Sequence, residues 1–213
     1  MSDAIALPEE ARAHTFLDDA SALPTRQIVH TLINPAHPWE VTVGQRIAAH
    51  LADTNGHILT ALEISDTRER LIEIDNLLVC DRGLFVIECK AFRGRIEGGL
   101  NLEWEITHGD TRRRIKCHRG INPRHQCRQQ VFTVVEALER IGARRDFWVN
   151  GAVLFPDETE FDLGSVPVNA YSRTNCPVYH LSEFIRALSE LPRLPGACGD
   201  PDEIELLVNK LRR

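Results

Sequence analysis

Two apolar runs joined by a tight turn constrain this chain more than anything else in it. Leu71-Ile72-Glu73-Ile74-Asp75-Asn76-Leu77-Leu78-Val79 and Leu84-Phe85-Val86-Ile87 each read as a strand, with Asp81-Arg82-Gly83 as the turn between them. The second run closes on Glu88-Cys89-Lys90. Residues two apart on a strand point the same way, so Glu88 and Lys90 share one face and Cys89 takes the other. A strand that reads as buried does not end in an acid and a base on one face unless something uses them.

If Asp81 and Arg82 alone form the turn, Cys80 pairs with Gly83. Asp75 then lies across from Glu88, and Glu73 across from Lys90. Opposed residues have Cβ atoms about 4.5–5.5 Å apart, and two carboxylates there repel. A bound cation turns that repulsion into attraction. Magnesium takes one or two carboxylates plus waters and phosphate oxygens, which this arrangement can supply. A lysine beside the metal can orient or deprotonate an attacking water while the metal polarises the phosphate. The constellation is nuclease-like. A three-residue turn with Gly83 in a bulge shifts the register by one and sends Asp75 to the opposite face. Glu73 and Lys90 would also make an ordinary cross-strand ion pair, with Asp75 and Glu88 solvated at a strand end. Spacing alone leaves these alternatives open.

Further segments extend the pattern. Val43-Gly44-Gln45-Arg46 opens a helix, Glu73 to Val79 and Gly83 to Lys90 form the hairpin, and the second strand runs on to Gly94. Asn122-Pro123-Arg124-His125-Gln126 opens a long helix, and Gly151-Ala152-Val153-Leu154-Phe155 reads as a later core strand. In this order and spacing, from about Val43 to Phe155, the chain resembles the NERD (nuclease-related domain) family, which is similar to the PD-(D/E)XK nuclease superfamily. The resemblance implies an α/β fold, a central mixed sheet flanked by helices with a restriction-endonuclease-like core. It implies Mg²⁺ or Mn²⁺ held by Asp75, Glu88 and the backbone carbonyl of Cys89, with Lys90 and Gln126 serving catalysis. Family members usually carry Glu directly after the glycine of the first helix, where this chain has Gln45. An amide keeps an oxygen ligand but loses the charge, which bears on a second metal position.

Charge distribution matters more here than the formal net charge of −6. Between Thr111 and Val135 there is no acid, while Arg112, Arg113, Arg114, Lys116, Arg119, Arg124 and Arg128 are all basic; Arg93 and Arg95 follow the catalytic-candidate strand. A local basic surface attracts phosphates through counterion release whatever the total charge. The bland alternative is that these arginines pair with acidic segments as a solvated face. Gln126 and Gln130 are four apart on one helix face, where either can reach an active site or a phosphate.

Six scattered cysteines with no C-x-x-C pair suit reduced thiols. Cys117-His118 and His125…Cys127 match no common structural zinc spacing. No apolar stretch approaches the roughly 20 residues that span a bilayer, and the start lacks a signal-peptide layout. The expected location is the cytoplasm, away from membrane. The expected organisation is an arm over 1–40, a nuclease core over 41–192 and a C-terminal helical extension over 193–213. A helix is expected from Gly44 to Ala52. Strands are expected at His57 to Ile64, Glu103 to Thr107, Arg113 to Lys116, Phe147 to Phe155 and Val178 to Leu181, with an acidic loop from Pro156 to Asp162. Helices should cover Ser182 to Leu191 and about Pro201 to Leu211. The arm could begin with a helix at Pro8 to Ala13, and it or the C-terminal helix would serve a homodimer or larger assembly.

The functional expectation is a metal-dependent nuclease acting on nucleic acid, DNA by family resemblance. The competing reading is an impaired nuclease-like module that binds nucleic acid or a protein partner, to which Gln45 gives support.

Overall fold

The structure is a computed structural model that describes residues 28–51, 54–118, 120–143, 148–164, 176–193 and 200–212. The candidate helix at Pro8 to Ala13 and Arg119 lie outside the described residues.

Among the described residues, six strands form the main sheet: β1 (Ile28–Leu32), β2 (Gly56–Ser65), β3 (Leu71–Cys80), β4 (Gly83–Cys89), β8 (Val149–Phe155) and β10 (Val178–His180), in the order β1-β2-β3-β4-β8-β10. β2, β3 and β4 run antiparallel, while β1 joins β2, and β8 joins both β4 and β10, in parallel. The sheet is therefore mixed and the fold α/β. Among the described residues, four helices accompany it: α1 (Pro38–His50), α2 (Pro123–Arg140), α3 (Leu181–Glu190) and α4 (Pro201–Leu211).

Both faces of the sheet are covered, which is why β4 and β8 are buried at every residue and carry no polar–apolar alternation. Phe85, Ile87 and Cys89 of β4 pack with Val43 and Ile47 of α1 and Phe184 and Leu188 of α3. Leu84 and Val86 face the opposite core, with Val131, Val134 and Leu138 of α2 and Ile204, Leu207 and Val208 of α4. By the same alternation Glu88 falls on the α2 side and Cys89 on the α1 side.

The turn between β3 and β4 is the two-residue one. Cys80 pairs with Gly83, Val79 with Leu84, and the ladder runs to Asn76 and Ile87. Gly83 sits at φ 125°, a conformation that L side chains avoid. The ladder ends there, and just beyond it the Cys89 N–H reaches Asp75 Oδ2, which brings Asp75 to the end of β4.

Several elements depart from expectation. α1 begins at Pro38 rather than Gly44, because proline is favoured in a first helical turn and His37 caps it: His37 Nδ1 accepts from Trp39 N, and Glu40 Oε2 accepts from His37 N at 3.1 Å. Gly44 is an interior helix residue whose Cβ would stand 2.7 Å from His30 Nε2, so its absence lets α1 lie close on β1 and β2. Part of the segment read as an arm thus supplies β1, an edge strand of the main sheet. The acidic loop ends in β9 (Glu160–Asp162), which pairs with β5 (Arg95–Glu97). Together with β6 (Glu105–His108) and β7 (Thr111–Arg114), these make a second sheet in the order β7-β6-β5-β9. Ion pairs, rather than apolar alternation, hold its exposed face. Among the described residues, no helix is long and apolar enough to cross a membrane.

Candidate active site

β3 and β4 deliver the two acids side by side. Asp75 is 8% exposed and Glu88 is fully buried. The Cys89 N–H donates to Asp75 Oδ2 at 2.7 Å, which ties the Asp75 side chain to the end of β4. Lys90 leaves the strand with its own N–H on Leu154 O, at 2.9 Å, and turns its ammonium onto Glu88 Oε1. On the other oxygen, Gln130 Nε2 donates to Glu88 Oε2 at 2.7 Å and also reaches Glu73 O at 3.1 Å. Both of those partners only accept, so the orientation of the Gln130 amide is settled by the network.

Burial sets the electrostatics. It pushes the Asp75 carboxyl well above the usual range, and the neighbouring Glu88 charge pushes it further. Burial also raises Glu88, while Lys90 and Gln130 pull it back. For Lys90, burial favours the neutral amine, yet the Glu88 charge and hydrogen bond outweigh it and hold the ammonium above its ordinary value. The Cys89 thiol is raised by burial and by Asp75, so it stays neutral; Asn76 Nδ2 contacts its sulfur at 3.4 Å.

The sheet is distorted where Asp75 sits. Between the Thr60–Asn76 and Leu62–Ile74 rungs, Ala61 faces Asp75 with φ 56°, a left-handed conformation that costs a non-glycine residue energy. Side-chain alternation shifts there: Leu59, Leu62 and Ile64 all enter the same core, as do Ile72, Ile74, Leu77 and Val79. Asn34 Nδ2 holds the Ala61 carbonyl at 2.9 Å.

A third carboxylate was not singled out from the sequence. Glu40, in the first turn of α1, is half-buried, and its carboxyl is raised by burial and by Glu73 while Lys90 pulls it down. Asn76 Nδ2 donates to Glu40 O at 3.0 Å, pinning that turn to the residue beside Asp75. Glu40 also continues the stripe of Val43, Gly44 and Ile47 that faces the sheet. Gln45, the residue where family resemblance expects an acid, is exposed. Five residues on from Glu40, it lies roughly 140° around the helix and about 7.5 Å along it. The first-turn position and the capping role of Glu40 were the available signal, and a helix start placed at Gly44 concealed both.

Asn122 fixes the approach of α2. It is fully buried; its Oδ1 accepts from His125 N at 3.1 Å, and its Nδ2 donates to Leu102 O at 2.9 Å and Leu100 O at 3.2 Å. Gln126 and Gln130 therefore enter from a defined depth. Gln126 Oε1 accepts from His118 N at 3.2 Å and lines a cavity beside Asp75, while Gln130 is the glutamine that touches Glu88. Asn122→Ala removes the cap and the bonds to the Leu100 and Leu102 carbonyls. It should cost about 2–3 kcal/mol in chemical denaturation, and a loss below about 0.5 kcal/mol would contradict the anchoring role.

The basic residues divide into groups. Arg95 pairs with Asp162 and Glu97, Arg112 with Glu105 and Glu97, and Arg114 with Glu103, so these three arginines are engaged with acids in or beside the second sheet. Arg93 stands 3.8 Å from Glu158 and is exposed. Arg113 lies over the Phe92 ring and Arg128 over Phe132, at 5.4 and 5.5 Å from the ring centroids. Lys116 is exposed. Arg124 departs from the expected phosphate-facing role: it is buried, and its Nε donates to Cys176 O at 3.1 Å. Cys127 is buried with its sulfur directed at Val86 O and Ala152 O.

Among the described residues, no three His, Cys, Asp or Glu side chains are arranged to hold a metal. The donors at hand are the carboxylates of Asp75 and Glu88 and the adjoining main chain of Cys89. Two buried carboxylates disfavoured as anions are a hard-oxygen set that Mg²⁺ or Mn²⁺ fits, completed by water and phosphate oxygens.

A family model described as nuclease-related domain matches residues 36–156, more than half of the 213-residue chain and every element from α1 to β8. No curated protein and no solved structure matches the chain.

Proposed function

Because this chain belongs to the nuclease-related domain (NERD) family, we propose that it is a metal-dependent nuclease that hydrolyses phosphodiester bonds of DNA. The observation that carries this reading is the joint burial of Asp75 and Glu88 on adjacent strands, with Lys90 and Gln130 on the two oxygens of Glu88.

In this account Asp75, Glu88 and the Cys89 carbonyl hold Mg²⁺ or Mn²⁺. The bound ion supplies Lewis-acid polarisation of the phosphate and neutralises developing charge. Every other task falls to the protein. Lys90 positions the attacking water and faces the charge that builds on the phosphoryl oxygens. Gln130 keeps Glu88 oriented, and Gln126 shapes the cavity through which substrate arrives. Exposed cations such as Arg93, Lys116 and Arg128 bind flanking phosphates without reading bases. Glu40 adds a third negative group at the rim of the site. The test is hydrolysis of labelled DNA in Mg²⁺ or Mn²⁺. Cleavage abolished by chelation and restored by metal is the expected result; a folded protein that leaves DNA intact in both metals would overturn the reading.

The placement of Glu40 makes a further prediction. Glu40→Gln should lower cleavage by about 10-fold or more and shift the metal requirement upward, because it removes charge facing the site while sparing the helix. Gln45→Glu should change either quantity less than about 3-fold, since that side chain points away into solvent. A gain of activity in Gln45→Glu with no loss in Glu40→Gln would contradict the assignment.

A further inference from the structure

The cavity beside Asp75 has a volume of about 210 Å³ and lies between the distal ends of β2 and β3 and the first turns of α2. Two features of its wall call for a hydrogen-bond donor from outside. Glu63 and Glu73 are directly opposed in the β2–β3 register, and neither has an ion-pair partner among the described residues. Opposed like charges destabilise a strand pair. Gln130 lines the same cavity at 2% exposure, and its Oε1 has no hydrogen-bond partner, its amide nitrogen being spent on Glu88 and the Glu73 carbonyl. A buried acceptor without a donor carries an uncompensated desolvation cost.

The rest of the wall restricts the occupant. Carboxylates at Glu63, Glu73 and Asp75 repel a second phosphate. The volume is below the roughly 300 Å³ at which drug-sized sites begin, so one heterocycle fits better than a larger ligand. Leu71 and Ile72 offer apolar surface to a ring face, and the Gln129 amide offers both a donor and an acceptor to a ring edge. The cavity also opens on Asp75, where the proposed function sets the cleaved phosphate. From these contacts we infer that the cavity receives the nucleobase next to the cleaved phosphate and selects bases bearing an exocyclic amino group. A carboxylate accepting from the amino group of cytosine is a known mode of base discrimination, and uracil presents a carbonyl there instead. This subsite rests on the nuclease reading and adds base preference to it.

The test compares oligodeoxycytidylate with oligodeoxyuridylate of equal length, which differ at the amino group and the adjacent ring nitrogen. Fluorescence anisotropy with the full chain carrying Lys90→Arg, in Mg²⁺, measures affinity without depending on cleavage. The cytidylate strand should bind at least about 5-fold more tightly, the worth of one good carboxylate-to-amino contact. That ratio should fall towards one when Glu63→Ala and Gln129→Ala, two exposed positions, are added. Equal affinities, a ratio unchanged by those substitutions, or no binding of either strand would overturn the subsite. Metal-dependent cleavage by the wild type without base preference would overturn the subsite and leave the nuclease reading standing. A base preference in a wild type that never cleaves would uphold the subsite and overturn the nuclease reading.

Discussion

Replacing Lys90 by arginine is expected to reduce DNA cleavage by on the order of 10²–10⁴-fold while leaving DNA affinity within about 3-fold of wild type. The reasoning starts from the ion pair. Lys90 is the charged partner of the fully buried Glu88, so Lys90→Ala leaves that carboxylate with Gln130 alone. Breaking a buried pair from one side typically costs about 3–5 kcal/mol, enough to confuse lost chemistry with lost fold. Arginine keeps the positive charge and the pairing. It cannot give up its proton, and its broad planar fork cannot occupy the space of a compact ammonium. Lys90→Arg therefore separates the two roles: thermal stability near wild type shows the pair intact, and the cleavage rate reports the lysine. Equal loss of cleavage and affinity, or full activity in the arginine variant, would contradict the role assigned to Lys90.

Asp75→Asn should raise the melting temperature of the metal-free protein and abolish its response to Mg²⁺ or Mn²⁺. Burial and the Glu88 charge raise the Asp75 carboxyl well above its ordinary value. The native state then binds a proton more tightly than the unfolded chain, so the Asp75 charge erodes stability as pH climbs from about 4, the ordinary aspartate value, through the raised one. Asparagine carries no such charge and keeps an oxygen for the Cys89 N–H. Its advantage should vanish below about pH 4 and grow as pH rises through the raised Asp75 value, at roughly 2–4 °C of melting temperature for each kcal/mol. Metal reverses the comparison, because the wild type alone gains stability from a bound cation, by RT ln(1 + [L]/Kd). A metal-induced shift that survives in Asp75→Asn would place the cation elsewhere.

The site is legible in the sequence to the extent that strand geometry governs it. Spacing left the turn length open; with the two-residue turn that pairs Cys80 with Gly83, a period of two carries Asp75 towards Glu88, and Lys90 meets Glu88. Helix-borne groups were harder to read. Gln126 and Gln130 share a face at four-residue spacing, and only the depth at which Asn122 anchors α2 decides that Gln130 meets Glu88. Glu40 escaped because Pro38 reads equally well as a loop residue and as a first-turn proline. The second sheet was read only in part: the strands expected at Glu103 to Thr107 and Arg113 to Lys116 overlap β6 and β7, whereas β5 and β9 are three residues long, mostly charged, and paired across distant parts of the chain. Arg124 shows the limit of charge counting, since a basic residue in a basic stretch can still be packed inside against a carbonyl.

The central claim is metal-dependent hydrolysis at Asp75, Glu88 and Lys90. Its most direct measurement is a time course on supercoiled, linear and single-stranded DNA in Mg²⁺, in Mn²⁺ and in chelator, with wild type beside Lys90→Arg. The account predicts cutting of at least one substrate by the wild type in metal, none in chelator, and a rate lower by on the order of 10²–10⁴-fold in the variant. Intact substrates from a folded, DNA-binding wild type in both metals, or cutting that persists in chelator, would contradict it.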